Sequence, residues 1–362
     1  MTDLFLELIQ VALGVKTCLS HTPSEKEWNE LYLLCQTQSI SAFVFTALDR
    51  LSESGQKPPM ALLYEWIGQS EQVKAQNALM NKEAARLTSL FEQAGHQTAI
   101  LKGQANARLY TQPWCRQPGD IDIWVDGGKN KAVDTVRKLA LSDEKTVTSY
   151  HHLHLKQNGI AVEVHFRPSS GNYNPFSNKR LQTFLEHEIY NGILMAEEGF
   201  QVPSMRFALV MQLAHIQRHL ISEGVGMRQI IDYYCLLKSD VGNERDGVFH
   251  RLGSFGLNHM AEALMWLLHE KLGMQEDNLI APMDEKRGRM LLRAIMEGGN
   301  FGNYYSYRQK GGTWKRIAGK HRHRLQMIRF DASEAIWEEL HAVYYFFARL
   351  PERIKKRKLS LE

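Results

Sequence analysis

The chain has 362 residues, of which 44% are hydrophobic and 23% are charged, with 44 Lys and Arg residues against 40 Asp and Glu residues. These proportions describe a folded protein long enough for two domains, and they exclude disordered and collagen-like sequences. The most apolar windows, 207–216 and 260–268, span only about ten residues where a bilayer crossing needs roughly 18, so we expect no membrane span.

The first residues have neither a basic start nor a sustained apolar run, so they do not look like a secretory signal and we expect a cytoplasmic protein. The four cysteines are far apart and include no Cys-x-x-Cys pair; they are Cys18, Cys35, Cys115 and Cys235. This spacing favours free thiols that fill core space over a disulfide framework.

Residues 1–95 have a helical pattern. Ser24 and Glu27 have the spacing of a capping box and precede apolar residues at helical period that begin with Trp28. An amphipathic pattern then runs from Pro59 to Gly95, and glycine is the usual stop signal of a helix. We therefore predict one long helix over residues 59–95.

Between residues 96 and 200 the pattern changes to strands and helices. Residues 98–101 and 119–125 predict strands, a helix-like stretch follows the first strand to about residue 110, and residues 127–141 return to helical period. Within residues 150–167, Asn158-Gly159 joins two alternating runs, which is typical of a two-residue hairpin turn.

The two-residue turn sets the register of this predicted hairpin. The facing pairs are Gln157 with Ile160, Leu155 with Val162, His154 with Glu163 and His152 with His165. One face then carries Leu153, Leu155, Val162 and Val164, and the other carries His152, His154, Glu163 and His165. We expect an apolar face toward the core and a polar face opposite it.

Residues after Pro168 predict helices again, over 178–188, 204–221, 226–238, 243–255, 257–272, 285–298 and 331–350. The predicted fold is α+β, with a small mixed β-sheet between extensive N- and C-terminal helical regions. We divide it into an N-terminal helical region over 1–95, an αβ core over 96–200 and a C-terminal helical domain with a basic tail over 201–362.

Asp120 and Asp122 are the first candidates for chemistry. Residues i and i+2 of a strand project to the same side, where two like charges are unfavourable without a cation between them. Oxygen ligands favour Mg²⁺ or Mn²⁺, and no local set of Cys or His residues favours a softer metal. Glu163 adds the third acid that two-metal phosphoryl or nucleotidyl transfer needs.

Basic and imidazole side chains near these acids leave alternatives open. Lys102 and Gly103 form a turn between a strand and a helix, where backbone N–H groups can hold phosphate oxygens. Arg116 either contacts a nucleotide or neutralises the acids, and the sequence does not separate the two. The hairpin histidines either bind zinc or orient a carboxylate or phosphate, and the second interpretation is favoured.

Two further pairs have helical spacing. His215 and His219 are four residues apart, as metal ligands can be, and Arg228 and Asp232 have the spacing of an ordinary helix ion pair. A structural role is the favoured interpretation of each pair alone. As a group they could line a cleft opposite the acids, with Arg228 facing phosphate.

Several of these segments together resemble a known family. The segments are Leu101-Lys102-Gly103, Arg116, residues 119–125, and Val162-Glu163-Val164-His165-Phe166. They resemble the uncharacterised branch of the DNA polymerase β-like nucleotidyltransferase superfamily. The resemblance extends to the helices around Trp28, to residues 215–219 with Arg228 and Asp232, and to residues 298–302, so it covers most of the chain.

The resemblance implies an αβ catalytic core in which Asp120 and Asp122 bind metal and Glu163 completes an acidic triad. The residues expected to bind nucleotide are Lys102, Gly103, Arg116, His215, His219, Arg228 and Asp232. Two departures stand out: the turn is Lys-Gly where the superfamily commonly has Gly-Ser, and the third acid is Glu where Asp is frequent.

We therefore expect a Mg²⁺- or Mn²⁺-dependent nucleotidyltransferase that moves a nucleoside monophosphate from an NTP to an acceptor hydroxyl and releases pyrophosphate. The acceptor could be a tRNA end, a protein side chain or a small molecule. Residues 313–362, with 12 Lys and Arg against 6 Asp and Glu, either contact RNA or an anionic surface or form a solvated helical face. The alternative function is an inactive nucleotide- or RNA-binding scaffold of the same fold.

Overall fold

The computed structural model describes residues 1–142, 146–239, 244–309 and 312–348. The N-terminal region is helical, with α1 (Thr2–Ala12), α2 (Glu25–Thr37), α3 (Ser41–Phe45), α4 (Leu48–Glu53) and α5 (Met60–Gln93). The predicted capping box is present at α2, where Ser24 N donates to Glu27 Oε2 at 2.8 Å and Glu27 N donates to Ser24 Oγ at 3.3 Å. The prediction of one long helix over 59–95 is confirmed by α5.

The middle of the chain contains the strands and the helices between them. In order they are β1 (Thr98–Ile100), α6 (Gln104–Ala107), β2 (Ile121–Val125), α7 (Gly128–Lys138), β3 (Val147–Thr148), β4 (His152–Gln157), β5 (Ile160–His165), α8 (Pro175–Asn191), β6 (Ile193–Met195) and β7 (Gln201–Pro203). Five strands form a mixed sheet in the order β1-β2-β5-β4-β3, in which only the β2–β5 pair is parallel among the described residues. The fold is therefore α+β, as predicted.

The C-terminal helices are α9 (Met205–Ser222), α10 (Met227–Lys238), α11 (Glu244–Phe249), α12 (Asn258–Trp266), α13 (Glu285–Gly298), α14 (Ser306–Gln309), α15 (Thr313–Met327) and α16 (Ala332–Ala348). A π-helical turn, Leu267–Lys271, continues α12. None of the helices in the described ranges combines the length and apolarity that a bilayer crossing requires.

The hairpin register is confirmed at every predicted pair, including His154 opposite Glu163 and His152 opposite His165. Asn158 and Gly159 have φ values of 50° and 84°, which the tight turn requires. The predicted apolar face is confirmed too, because Leu153, Leu155, Val162 and Val164 all lie in the core cluster under the sheet. This cluster also takes side chains from α5 and α7.

Several predicted bounds are wrong. The helix after β1 ends at Ala107 rather than near residue 110, and α11 ends at Phe249 rather than at residue 255, ahead of a turn in which Gly256 has a φ of 68°. The sequence analysis missed the β6–β7 hairpin and α15, which starts the segment taken for a tail. Residues 243 and 349–350, at the ends of two predicted helices, lie outside the described residues.

A second, larger core joins the N- and C-terminal helices. It includes Phe5 of α1 and Trp28 of α2 together with most of the buried side chains of α9, α10 and α12. Gln38 connects these regions directly, because its Nε2 donates to Ile295 O at 2.8 Å and its Oε1 accepts from Met227 N at 2.9 Å. The boundaries at 95/96 and 200/201 stay predictions, and the larger core contains residues from all three ranges.

Candidate active site

The parallel pairing of β2 with β5 places two acids side by side. Asp122 is the register partner of Glu163, so both side chains project from the same face of the sheet. Their neighbours Ile121, Ile123, Val162 and Val164 point into the core on the other face. Asp120 directly precedes β2 and is half-buried. The alternation predicted for this strand therefore presents Asp122 and Glu163 to one polar face.

Asp122 is almost completely buried, and its two oxygens have different surroundings. Oδ1 accepts a hydrogen bond from His165 Nε2 at 2.9 Å and lies 3.2 Å from Lys102 Nζ. Oδ2 is buried and has no hydrogen-bond partner among the described residues. A buried carboxylate oxygen without a partner lowers the stability of the fold. This oxygen is therefore available to bind a cation.

The charges around Asp122 shift the titration of their neighbours. Burial acts to lower the pKa of Lys102, but the negative charges of Asp122, Asp120 and Glu163 outweigh it and raise that pKa. Burial likewise opposes the charged form of His165, yet hydrogen bonds to Asp122 and Glu163 raise its pKa above the usual value. Burial acts to raise the pKa of Glu163, and His165, His152 and Lys102 overcome it, so that pKa is lowered.

The donor set fits a divalent cation. Asp122, Glu163 and His165 each offer a ligand atom, and these atoms lie within 4.8 Å of one another. The unpartnered Oδ2 of Asp122 is the observation that supports the fit. His165 Nε2 lies between the carboxylates, 2.9 Å from Asp122 Oδ1 and 3.4 Å from Glu163 Oε2, which is the place expected for a hairpin histidine that orients a carboxylate.

The other hairpin histidines contact the far side of Glu163. His152 Nδ1 lies 3.1 Å from Glu163 Oε2, and His154 Nδ1 lies 3.2 Å from Glu163 Oε1. His152 is buried, whereas the side chain of His154 is 49% exposed. Burial and the neighbouring His165 and His154 lower the pKa of His152 to about 4, against the opposing charge of Glu163. His152 is therefore neutral at physiological pH.

Helix α9 forms the wall opposite the sheet. Between the two lies a cavity of about 530 Å³ whose lining includes Lys102, Asp120, Glu163 and Arg228. One face of α9 supplies Met211, His215, Arg218, His219 and Ser222 to the same cavity. These positions follow helical period, so α9 presents a continuous stripe to the acids.

His215 and His219 reach this cavity with their rings 4.2 Å apart. His219 Nδ1 contacts Glu223 Oε1 at 2.6 Å, and neither histidine joins a potential metal cluster in the described part of the chain. Burial, together with the charge of Lys102, holds the pKa of His215 well below its usual value. The structure therefore brings both residues to the cleft, but it does not make them a metal pair.

Asp232 pairs with Arg116 rather than with Arg228. Arg116 Nε and Nη2 donate to Asp232 Oδ1 and Oδ2 at 2.7 and 2.8 Å, and the Tyr110 hydroxyl donates to Oδ1 at 2.7 Å. Both charged side chains are buried, with 6% and 2% exposed. The interpretation of Arg228 and Asp232 as a helix ion pair is wrong, because the tertiary fold supplies Asp232 with a better, bidentate partner.

Among the described residues, Arg116 therefore forms its ion pair with Asp232 and not with Asp120, Asp122 or Glu163. This ion pair connects the loop before β2 to α10, so it positions the strand that carries Asp122. Asp232 has its oxygens occupied by Arg116 and Tyr110, although it lines a small cavity next to the main one together with Asp122 and Arg228. The assignment of Arg116 and Asp232 to nucleotide binding stays a prediction that nothing in this geometry supports.

Arg228 is the strongest candidate for holding an anion. Its side chain is 91% buried, Nη1 donates to Gln117 O at 3.1 Å, and Nε has no hydrogen-bond partner in the described ranges. The guanidinium lies over the ring of Phe301, 5.7 Å from its centroid. Burial and the charge of Arg116 lower the pKa of Arg228 to about 10, against the charge of Asp232. The residue stays cationic at neutral pH, and no carboxylate among the described residues forms an ion pair with it.

The Lys102-Gly103 turn brings an ammonium group to the acids and is followed by a short helix, unlike a phosphate-binding loop. Gly103 has a φ of 63° and a ψ of −104°, a backbone conformation that L side chains rarely adopt, so the turn needs glycine. The following helix, α6, has only four residues. Lys102 points at Asp122. The turn therefore reaches the acidic site through the ammonium group, and its contact with triphosphate stays a prediction.

One basic residue of the C-terminal segment, Arg324, pairs with acids of the neighbouring helix. Arg324 forms ion pairs with Glu338 and, at 3.0 Å, with Glu339, so this residue links α15 to α16. Such an internal pairing is what a structural role predicts. The side chains of Lys315 and Arg316, and all of residues 349–362, lie outside the described part of the chain.

The sequence analysis did not single out several residues that line the cavity. They are His151, Ser169, Ser170, Arg218 and Phe301. Arg218 could have been found, because it lies three residues after His215 on the helical face that the histidines define. Phe301 has a φ of 54°, and no local pattern indicates that this residue stacks on Arg228.

The fold is α+β, and its mixed sheet holds Asp122 and Glu163 side by side on adjacent parallel strands. The chain belongs to the family described as uncharacterised nucleotidyltransferases, whose sequence model matches residues 24–273. A search among curated proteins gives no match. A structural comparison finds an antigenic nucleotidyltransferase-like protein from Paracoccidioides brasiliensis, with 12% identity over 49% of this chain and 92% of that one and a TM-score of 0.29, a likeness too low to support an argument.

Proposed function

We propose that the chain transfers a nucleoside monophosphate from an NTP to an acceptor hydroxyl and releases pyrophosphate. The observation that carries the proposal is the in-register pair of Asp122 and Glu163 with a buried, unpartnered Asp122 Oδ2. The family assignment supports a nucleotide substrate. The cationic Lys102 and Arg228 at the same cavity supply the positive charge that a triphosphate needs.

Asp122 and Glu163 would hold Mg²⁺ or Mn²⁺, with His165 positioning both carboxylates and Asp120 adding a further oxygen ligand from the start of β2. A bound divalent cation would polarise the phosphates and lower the pKa of an acceptor hydroxyl. A mixed set of carboxylate and imidazole donors suits Mn²⁺ at least as well as Mg²⁺.

The protein's own side chains would orient the reactants. Arg228 has unused donors and a buried charge, so it would bind the β- and γ-phosphates. Glu163 would accept the proton as the acceptor oxygen bonds to the α-phosphorus. The bond from the α-phosphorus to the bridging oxygen then breaks, and pyrophosphate carries away the negative charge that Lys102 and Arg228 neutralise.

The test is pyrophosphate release from each of the four labelled NTPs with Mg²⁺ or Mn²⁺. Asp122→Asn and Glu163→Gln should each reduce the rate at least about a hundredfold, since a metal ligand supplies several kcal/mol of transition-state stabilisation. Asp134→Asn on the exposed side of α7 is the matched control and should keep the rate. A wild-type rate in a folded Asp122→Asn protein would refute the assignment.

One observation favours the alternative, an inactive binding scaffold. Lys102 and His165 both contact Asp122 Oδ1, so this oxygen already has two nitrogen partners. The same assay separates the two functions when nucleotide binding is measured beside it by calorimetry. Binding that depends on Arg228 without pyrophosphate release would support the scaffold, and turnover that depends on Asp122 would exclude it.

A further inference from the structure

We propose that His152, His154 and Glu163 form a second cation site, for a borderline divalent ion such as Zn²⁺, at the edge of the cavity. This site is separate from the hard-ion position at Asp122, and it does not depend on nucleotidyl transfer. Only the carboxylate of Glu163 is common to both.

The hairpin register builds the site from three strand positions. His152 and His154 are two residues apart on β4, so both project from the polar face, and Glu163 on β5 is directly opposite His154. The three side chains offer ligand atoms within 4.8 Å of one another. Two imidazoles and one carboxylate are a common ligand set for zinc, with further positions left to water or substrate.

The ligand atoms are close enough to surround one ion. The Nδ1 atoms of His152 and His154 lie 3.1 and 3.2 Å from the two Glu163 oxygens. Ligand atoms that are each about 2.0–2.2 Å from a tetrahedral zinc ion lie roughly 3.4 Å apart, so small side-chain shifts would admit the ion. His152 Nδ1 is buried, and among the described residues no hydrogen bond satisfies it.

The two imidazoles also contact each other. The Nε2 atoms of His152 and His154 are 2.7 Å apart, so the two rings lie side by side with both Nδ1 atoms next to the Glu163 carboxylate. Imidazole nitrogen ligands select zinc-class ions over Mg²⁺.

The exposure of His154 favours a site that an ion can enter from solvent. The side chain of His154 is 49% exposed, whereas Asp122 and His165 are buried deeper in the cavity. A zinc-class ion can therefore reach the imidazoles without displacing Lys102 from Asp122.

The experiment is calorimetric titration of the metal-stripped full chain with Zn²⁺. Wild type should bind Zn²⁺, and His154→Ala should weaken that binding by at least about tenfold, because even loss of an outer partner costs 10–100-fold. His154→Gln, a milder change at the same half-exposed position, guards against a folding defect. His187→Ala, which removes an exposed histidine on α8, is the matched control and should change nothing.

Asp122→Asn separates the two cation sites. The proposal expects Zn²⁺ affinity to stay within about threefold of wild type in this variant, while any Mg²⁺-dependent activity is lost. Zn²⁺ binding that disappears with Asp122 but survives loss of His154 would place the ion among Asp122, Glu163 and His165 and overturn the proposal. Absence of Zn²⁺ binding to wild type would also overturn it. Neither result bears on pyrophosphate release, so the proposed function stands or falls separately.

Discussion

Replacing Asp232 by Asn should destabilise the fold strongly, because it removes the counter-charge of two buried guanidinium groups. Arg116 makes two hydrogen bonds of 2.7 and 2.8 Å to this carboxylate, and its other acceptor among the described residues is Gln117 O, at 3.4 Å. Arg228, on the same helix as Asp232, has its charge offset by Asp232 as well. The substitution therefore leaves two like charges close together in the interior.

The expected cost follows from what happens when one partner of a buried ion pair is removed. Such changes typically cost 3–5 kcal/mol, and the additional Tyr110 hydrogen bond places this pair near the middle of the range, at about 4 kcal/mol. The double variant Arg116→Met with Asp232→Asn removes both charges together, and its single variants are Arg116→Met and Asp232→Asn. We expect it to be more stable than either single variant, since no uncompensated Arg116 charge remains.

Urea unfolding followed by circular dichroism measures the effect as the shift of the midpoint multiplied by the m-value. Glu297→Gln, which breaks a fully exposed ion pair with Arg293, is the control and should leave the midpoint where it is. A loss of less than about 1 kcal/mol for Asp232→Asn would refute the reasoning. So would a double variant whose loss equals the sum of the two single losses, because the charges would then not be coupled.

Three further outcomes are expected. Burial and the charge of Asp331 raise the pKa of Glu334 from 4.5 to about 7. The stabilising contribution of this carboxyl group is therefore complete below pH 4.5 and is lost as the pH rises through 7. Glu334→Gln should flatten the fall of the urea midpoint between about pH 5 and pH 8, and an unchanged profile would contradict this. Gly302 has a φ of 62°, and a Cβ on it would lie 1.8 Å from Glu223 O. Gly302→Ala should therefore lower the free energy of unfolding, measured with urea, by roughly 2 kcal/mol or more. Gly312 has open space around it, so the control Gly312→Ala should cost much less. A thiol reagent should modify only Cys18 in the native protein and all four thiols after unfolding, because the other three are buried; fast native labelling of a second thiol would be inconsistent with the structure.

Local patterns in the sequence were sufficient for the register of the central hairpin and for the polar face that carries Glu163. Asn158-Gly159 fixes the turn, and the two-residue period of a strand then assigns His154 and Glu163 to one face without further information. The capping box at Ser24 and the stop at Gly95 similarly bound their helices. These are interactions between residues close in the sequence, so a single sequence contains them.

Contacts between distant residues could not be predicted in this way. Arg116 and Asp232 are 116 residues apart, and the helical spacing of Arg228 with Asp232 suggested a different pair. The helix α15 was missed because its basic residues obscure an apolar period, although His323 on it is buried and contacts Leu220 O at 2.8 Å. The position of His165 between the two carboxylates depends on the parallel β2–β5 pairing, which no local pattern specifies.

The contact of Gln38 with Ile295 of α13 has a consequence for synthesis of the protein. Ile295 is added to the growing chain 257 residues after Gln38, which at bacterial or eukaryotic elongation rates takes on the order of ten to fifty seconds. During that interval the apolar faces of α1 and α2 lack the partners that later cover them. The N-terminal helices therefore cannot complete their packing until translation is nearly finished.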